Sequence, residues 1–122
     1  MHARFLVLGL TLAATTALGA TQSLTVRVSP AVSFAPANLV IRTQVEPDAD
    51  NRSLEVVAES ADFYRSSTVS LEGDRAPKTT QLEYRSLPPG EYTVSVIVTG
   101  ADGRPRAVSR AQATVMESGG SH

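Results

Sequence analysis

A run of alternating side chains after a double proline constrains this chain more than any other feature. Pro88 and Pro89 cannot donate hydrogen bonds to a sheet, and Gly90 readily adopts positive φ, so the chain turns there. Along residues 92–99 apolar and polar side chains then alternate, interrupted only by Ile97, with one face formed by Tyr92, Val94, Val96 and Val98. This period-2 pattern predicts a half-buried strand of an antiparallel sheet.

Six further segments show the same alternation, and turn residues separate them. They lie around Leu24–Val28, Asn38–Glu46, Leu54–Ala58, Val69–Leu71, Thr79–Leu87 and Ala107–Met116. Phe34 and Pro36 mark a connection between the first two strands, and Asp102-Gly103 is a strong hairpin signal. No window shows a helical period, so helices should be absent or a single turn. The sequence therefore predicts an all-β fold, a seven-stranded antiparallel sandwich of two sheets.

The first 20 residues differ from the rest of the chain. Arg4 precedes an apolar run, residues 5–18, which ends in the small residues Gly19 and Ala20. This layout is typical of a secretory signal peptide, with cleavage after Gly19 or after Ala20, although an uncleaved anchor is an alternative. We expect a sandwich domain over residues 21–117, a disordered tail over residues 118–122, and a periplasmic or secreted location without stable membrane insertion.

Composition excludes several classes of function. The chain has 122 residues, 11 basic and 12 acidic side chains, no cysteine, and only two histidines, His2 and His122. A near-neutral charge argues against nucleic-acid binding. Nucleophilic catalysis of the Ser-His-Asp or Cys-His kind needs a positioned imidazole, and zinc or copper sites need imidazole or thiolate ligands. The sequence therefore predicts neither enzyme activity nor a cofactor or bound metal.

The segment around the double proline resembles a known family. Leu87-x-Pro89-Gly90-x-Tyr92-x-Val94-x-Val96 is similar to the turn-and-strand signature of fibronectin type III and related bacterial immunoglobulin-like domains. The resemblance implies an immunoglobulin-like sandwich in which the Tyr92 hydroxyl bonds back to the preceding loop and Leu87 packs beside it. The tryptophan of an early fibronectin strand is missing. The same string also resembles the end of carboxypeptidase regulatory-like domains, whose glycine-rich opening is not visible here.

Three short segments carry candidate sites. Phe63, Tyr64 and Arg65 combine two aromatic rings with a planar cation, which can form an anchor for a partner or cover the edge of the core. The acidic turn Glu46–Asn51 is either a plain surface turn or a site for Ca²⁺, which prefers oxygen ligands. Asn51-Arg52-Ser53 fits a glycosylation sequence on an expected exposed loop, relevant only in a eukaryote.

A cluster of arginines follows the hairpin signal. Arg104, Arg106 and Arg110 are expected to form a solvated hairpin edge that discourages pairing with other strands. The chain as a whole therefore indicates a non-catalytic exported module that binds a protein or glycan partner, with recognition through loops or an edge strand. The alternative is a structural subunit of an envelope or extracellular assembly.

Overall fold

A computed structural model describes residues 23–118 of the protein. Strands account for about two thirds of these residues, because β-branched and small polar residues alternate along them. The eight strands are β1 (Leu24–Ser29), β2 (Val32–Phe34), β3 (Ala37–Val45), β4 (Asn51–Glu59), β5 (Tyr64–Ser70), β6 (Thr79–Leu87), β7 (Gly90–Gly100) and β8 (Pro105–Met116).

The strands form two sheets that pack face to face. One sheet has three strands in the order β1-β3-β6, and the other has five in the order β2-β8-β7-β4-β5. All neighbours are antiparallel except β2 and β8, which run parallel. The fold class predicted from the sequence, an immunoglobulin-like β-sandwich, is confirmed.

The core lies between the sheets and follows the alternation of β3, β4 and β7. The inward faces of these strands are almost wholly buried and include Leu39, Ile41, Leu54, Val56, Val94, Val96 and Val98. Two tyrosines, Tyr84 and Tyr92, join this aliphatic core and are buried with it. Burial of a Val, Leu or Ile side chain contributes about 1.5–3 kcal/mol, so these positions hold the two sheets together.

The expected strand count is wrong by one. The segment that the sequence predicts as a connection, around Phe34, contains β2, which pairs Val32 with Thr114 and Phe34 with Met116. Its three residues lie between Pro30 and Pro36. A segment that short cannot show a periodic pattern, and its partner lies at the far end of the chain, so no local signal predicts it.

Helical structure in the described part of the chain is limited to one 3₁₀ turn, Gly73–Arg75, as the sequence predicts. Across residues 23–118 no helix is long and apolar enough to cross a bilayer. The predicted signal peptide, residues 1–20, and residues 119–122 of the predicted tail lie outside the described residues.

Candidate functional site

The turn between β6 and β7 is closed by a hydrogen bond from a buried tyrosine. Tyr92 Oη donates to the carbonyl oxygen of Pro88 at 2.7 Å. Tyr92 and Leu87 are fully buried, whereas Pro89 is exposed. The predicted corner residues therefore lie together, and their contacts hold the turn against the core.

The surroundings of Tyr92 affect its ionisation. Burial raises the pKa of the Tyr92 hydroxyl above its usual value, and the Ser60 hydroxyl and the charge of Arg65 oppose that increase. Ser60 also packs closely under Gly90, because a Cβ added there would lie 3.0 Å from the Ser60 Cβ and Oγ atoms. The fold therefore favours the neutral phenol at this corner.

Phe63, Tyr64 and Arg65 do not form one exposed patch. Phe63 is half-buried and packs edge-on against Tyr92, with ring centroids 6.1 Å apart. The Arg65 guanidinium carbon lies 5.3 Å from the centre of the Phe63 ring and 5.6 Å from that of Tyr84. Only Tyr64 projects into solvent, with 61% of its surface exposed. Phe63 and Arg65 therefore cover the open side of the core, and Tyr64 is left for contacts with other molecules.

Arg65 also links the two sheets. Its Nη1 atom donates to the carbonyl oxygen of Arg85 on β6 at 3.2 Å, across the gap between the β5 and β6 edges. The β6 edge thus gives one carbonyl to a side chain, and its outer face carries the ion pair of Glu83 and Arg85, whose Oε1 and Nε atoms lie 3.2 Å apart. Charged residues of this kind discourage another strand from pairing there.

The outward face of β5 lacks such charges. Among the described residues β5 pairs with β4 alone. The register has no bulge between its first pair, Glu59 with Tyr64, and its last pair, Ser53 with Ser70. The solvent-facing row of β5 is uncharged and consists of Tyr64, Ser66, Thr68 and Ser70. An edge strand with a regular register, no outward charge and no proline can accept an additional strand.

The acidic turn between β3 and β4 is occupied by an arginine side chain. From β8, Arg106 Nη2 lies 3.2 Å from Asp48 Oδ2, and Arg106 Nη1 lies 3.2 Å from Asp50 Oδ2. Arg106 Nε donates to Asn51 Oδ1 at 3.1 Å, and Asn51 Nδ2 donates to the Glu46 carbonyl oxygen at 3.2 Å. The oxygen atoms that could have suited Ca²⁺ therefore face a guanidinium.

Two expectations about this region are wrong. Arg106 is not part of a solvated hairpin edge, since only 24% of its side chain is exposed and it contacts the acidic turn. Asn51 does not lie on an exposed loop, because it is 1% exposed and both of its amide atoms are bonded. The physical reason is the β4–β7–β8 register, which places Asn51 opposite Gly100 and brings β8 beside the turn.

Gly100 makes room for this contact. A Cβ at that position would lie 2.8 Å from Arg106 Cδ and 3.3 Å from the Asp50 carbonyl oxygen. The missing side chain lets the Arg106 stem cross the end of β7. Within residues 23–118 no group of three or more His, Cys, Asp or Glu side chains could hold a metal ion.

The structure also shows two surfaces that the alternation along the sequence does not predict. One is an apolar patch on β2 and β8, where Val32 is 60%, Phe34 61% and Met116 46% exposed. The other is a pair of arginines, Arg27 and Arg42, opposite each other on β1 and β3. The alternation shows that each faces outward, but which outward residues become neighbours depends on strand register, which a single sequence does not reveal.

Comparisons with known proteins support the fold. No family model matches the sequence, and neither does any curated protein sequence. Superoxide reductase (neelaredoxin) from Ignicoccus hospitalis superposes with a TM-score of 0.55 at 13% identity, over 80% of this chain and 82% of that one. A CARDB domain from Pyrococcus furiosus gives 0.50 at 14% identity, over 80% and 94%.

A third similar structure has yet another role. The sensor domain of the anti-sigma factor RsgI4 from Pseudobacteroides cellulosolvens superposes with a TM-score of 0.51 at 11% identity, over 80% of this chain and 98% of that domain. At these identities the likeness shows the sandwich fold alone. Because such sandwiches serve unrelated functions, the function has to be argued from this chain's own surfaces.

Proposed function

We propose that the protein is an exported, non-catalytic binding module that engages a partner protein by strand addition at the β5 edge. The observation that carries the proposal is the solvent-facing row of β5, which carries no charge and presents the exposed Tyr64 ring on a strand that pairs with β4 alone among the described residues. In strand addition the backbone gives affinity and alternate side chains give specificity, so a row of small hydroxyls ending in an aromatic anchor suits it.

The proposal includes the location of the protein and its relation to the fibronectin type III group. A location in the periplasm or outside the cell is supported by the signal-like residues 1–20. Membership of the fibronectin type III group is supported by the Leu87–Val96 signature and by the hydrogen bond from Tyr92 to Pro88. A glycan remains the other class of partner that the sequence favours, and it would not use the backbone of β5.

The test compares capture of partners by the wild type and by an edge variant. Tyr64→Lys with Thr68→Lys places two charges on the outward row of β5, which blocks strand addition but leaves the inward face intact. The matched control is Gln81→Lys with Thr79→Lys on the outer face of β6. We expect a partner from the envelope fraction of the producing cells to be captured by the wild type and the control and lost by the edge variant.

Hydrogen exchange on the captured complex then locates the contact. Strand addition should slow amide exchange along Ser66–Ser70 and leave the β1 amides unchanged. Equal capture by the edge variant, or a complex without added protection on β5, would contradict the proposal. If a glycan is the partner, its binding should survive the edge variant, because a glycan does not use the backbone of β5.

The apolar patch Val32, Phe34 and Met116 favours a second candidate, a structural subunit of an assembly built from copies of this chain. Phe34 and Met116 are register partners on the β2 edge and both are exposed. Light scattering separates the candidates. A monomer at high micromolar concentration favours the binding module, whereas assembly that Phe34→Ser abolishes favours the structural subunit.

A further inference from the structure

Two arginines face each other on the outer surface of the three-stranded sheet. Arg27 on β1 and Arg42 on β3 are register partners, and both are exposed. Like charges directly opposite each other on neighbouring strands are destabilising. Elsewhere in the described chain, Arg85 and Arg106 pair with carboxylates, but no ion pair within residues 23–118 involves Arg27 or Arg42. The repulsion between Arg27 and Arg42 is therefore not offset by an ion pair within the described residues.

A cavity lies beside this pair. It has a volume of about 220 Å³ and is lined by Thr25, Arg27, Arg42 and Gln44. Two guanidinium groups, a hydroxyl and an amide thus share one opening. Guanidinium groups bind carboxylates and other oxyanions through pairs of parallel hydrogen bonds, so these walls suit a single anionic group.

A second cavity continues from the first towards the end of β3. It has a volume of about 130 Å³, shares Thr25 and Gln44 with the first, and adds Ser23, Val45, Glu46 and Lys78. Lys78 and Glu46 carry opposite charges, so the lining of this second cavity has no net charge and includes both hydrogen-bond donors and acceptors. At a rise of about 3.3 Å per residue, Arg42 and Val45 are separated by about 10 Å along β3.

We propose that this groove, formed by the two cavities, binds an acidic saccharide, with its carboxylate or sulfate between Arg27 and Arg42 and its neutral hydroxyls along Thr25, Gln44 and Lys78. A ligand with one anionic end and a hydroxyl-rich body matches the charge distribution of the groove. Val45 is the one apolar side chain among its lining residues, so the apolar contacts of a peptide find little surface here. This site lies on the sheet opposite β5 and is additional to the proposed protein contact.

The test is calorimetric titration of the protein, purified as its cells produce it, with trigalacturonate at low salt. The variant Arg27→Gln with Arg42→Gln should bind at least tenfold more weakly, whereas Arg110→Gln, which removes a charge from the other sheet, should change the affinity less than twofold. Arg27→Lys with Arg42→Lys should recover part of the affinity, because it keeps the charge but loses the planar pairing. Raising the salt tenfold should weaken binding.

Titrations with other ligands show whether the site requires a carboxylate or accepts a sulfate, and whether it requires a saccharide. A sulfated trisaccharide that binds comparably would identify an oxyanion site that tolerates either group, as the proposal states. Neutral maltotriose should not bind. Tighter binding of tetraglutamate, or equal binding of inorganic phosphate, would overturn the saccharide assignment, and equal trigalacturonate affinity of the Gln double variant would overturn the site.

The melting temperatures of the variants show whether a loss of binding comes from the missing side chains or from a folding defect. Because the two arginines are exposed and repel each other, the Gln double variant should melt at or above the wild-type temperature. A structural role for the pair would instead lower it. The variants Tyr64→Lys and Thr68→Lys should leave saccharide binding unchanged, so failure of the strand-addition proposal and failure of this one are distinguishable.

Discussion

Replacing Arg106 tests whether the acidic turn is a structural clasp closed from within the protein. We choose Arg106→Met, because methionine keeps much of the apolar stem that crosses Gly100 but removes the guanidinium. The variant leaves Asp48 and Asp50 without their cation and Asn51 Oδ1 without its donor. The free energy of unfolding should fall.

The magnitude follows from the exposure of each partner. The Asp48 and Asp50 side chains are 43% and 59% exposed, so solvent screens both ion pairs. Pairs of that kind contribute roughly 0.2–1 kcal/mol each. Asn51 is buried, and leaving a buried polar atom unsatisfied costs about 1–3 kcal/mol. The hydrogen bond to Asn51 therefore dominates, and we expect a total loss of about 2–3 kcal/mol.

Thermal and urea unfolding measure this loss, and Arg104→Met provides the control. Arg104 lies in the same hairpin but is exposed, so its replacement should stay within about 0.5 kcal/mol of the wild type. For a domain of this size the Arg106→Met loss corresponds to a melting temperature lower by roughly 10–20 °C. A loss no larger than that of Arg104→Met would refute the clasp. So would a wild-type melting temperature that rises by several degrees in calcium, because a cation would then compete for the same oxygens.

The remaining predictions concern the corner tyrosine. Tyr92→Phe should lower the free energy of unfolding by about 1–2 kcal/mol, since it leaves the Pro88 carbonyl oxygen without its buried donor, and an unchanged urea midpoint would contradict this. Because burial raises the pKa of Tyr92, the folded state retains the phenol proton at pH values where the unfolded chain has lost it. The contribution of the protonated Tyr92 to stability is complete below the pKa of about 10 that tyrosine has in the unfolded chain, and it decreases as pH rises through the pKa of Tyr92 in the folded protein. Tyr92→Phe should therefore reduce the loss of stability at alkaline pH.

The fold was accessible from sequence because its main strands are long and alternate cleanly. Residues 92–99 show the pattern, and Val94, Val96 and Val98 are fully buried as predicted. The short strand β2 was not accessible. Its three residues are held by parallel pairing with β8, an interaction between distant segments that leaves no local signature.

The functional surfaces were predicted less well, because their chemistry depends on register. Tyr64 and Arg65 are adjacent in sequence, yet the pleat sends Tyr64 to solvent and Arg65 across the open side of the core. Arg104 and Arg106 look equivalent in sequence, but the neighbouring strands bring only Arg106 to Asn51. Counting the charges along a sequence segment therefore does not distinguish an exposed arginine from one that is bonded to a buried side chain.

The same reasoning explains why Arg27 and Arg42 are informative. A core position can be inferred from a single strand, because burial follows the period of that strand alone. A pair of facing charges exists only after two strands have been aligned, and it costs stability unless something binds there. In the described chain no carboxylate pairs with either arginine, and this is the observation for which we propose an external anion.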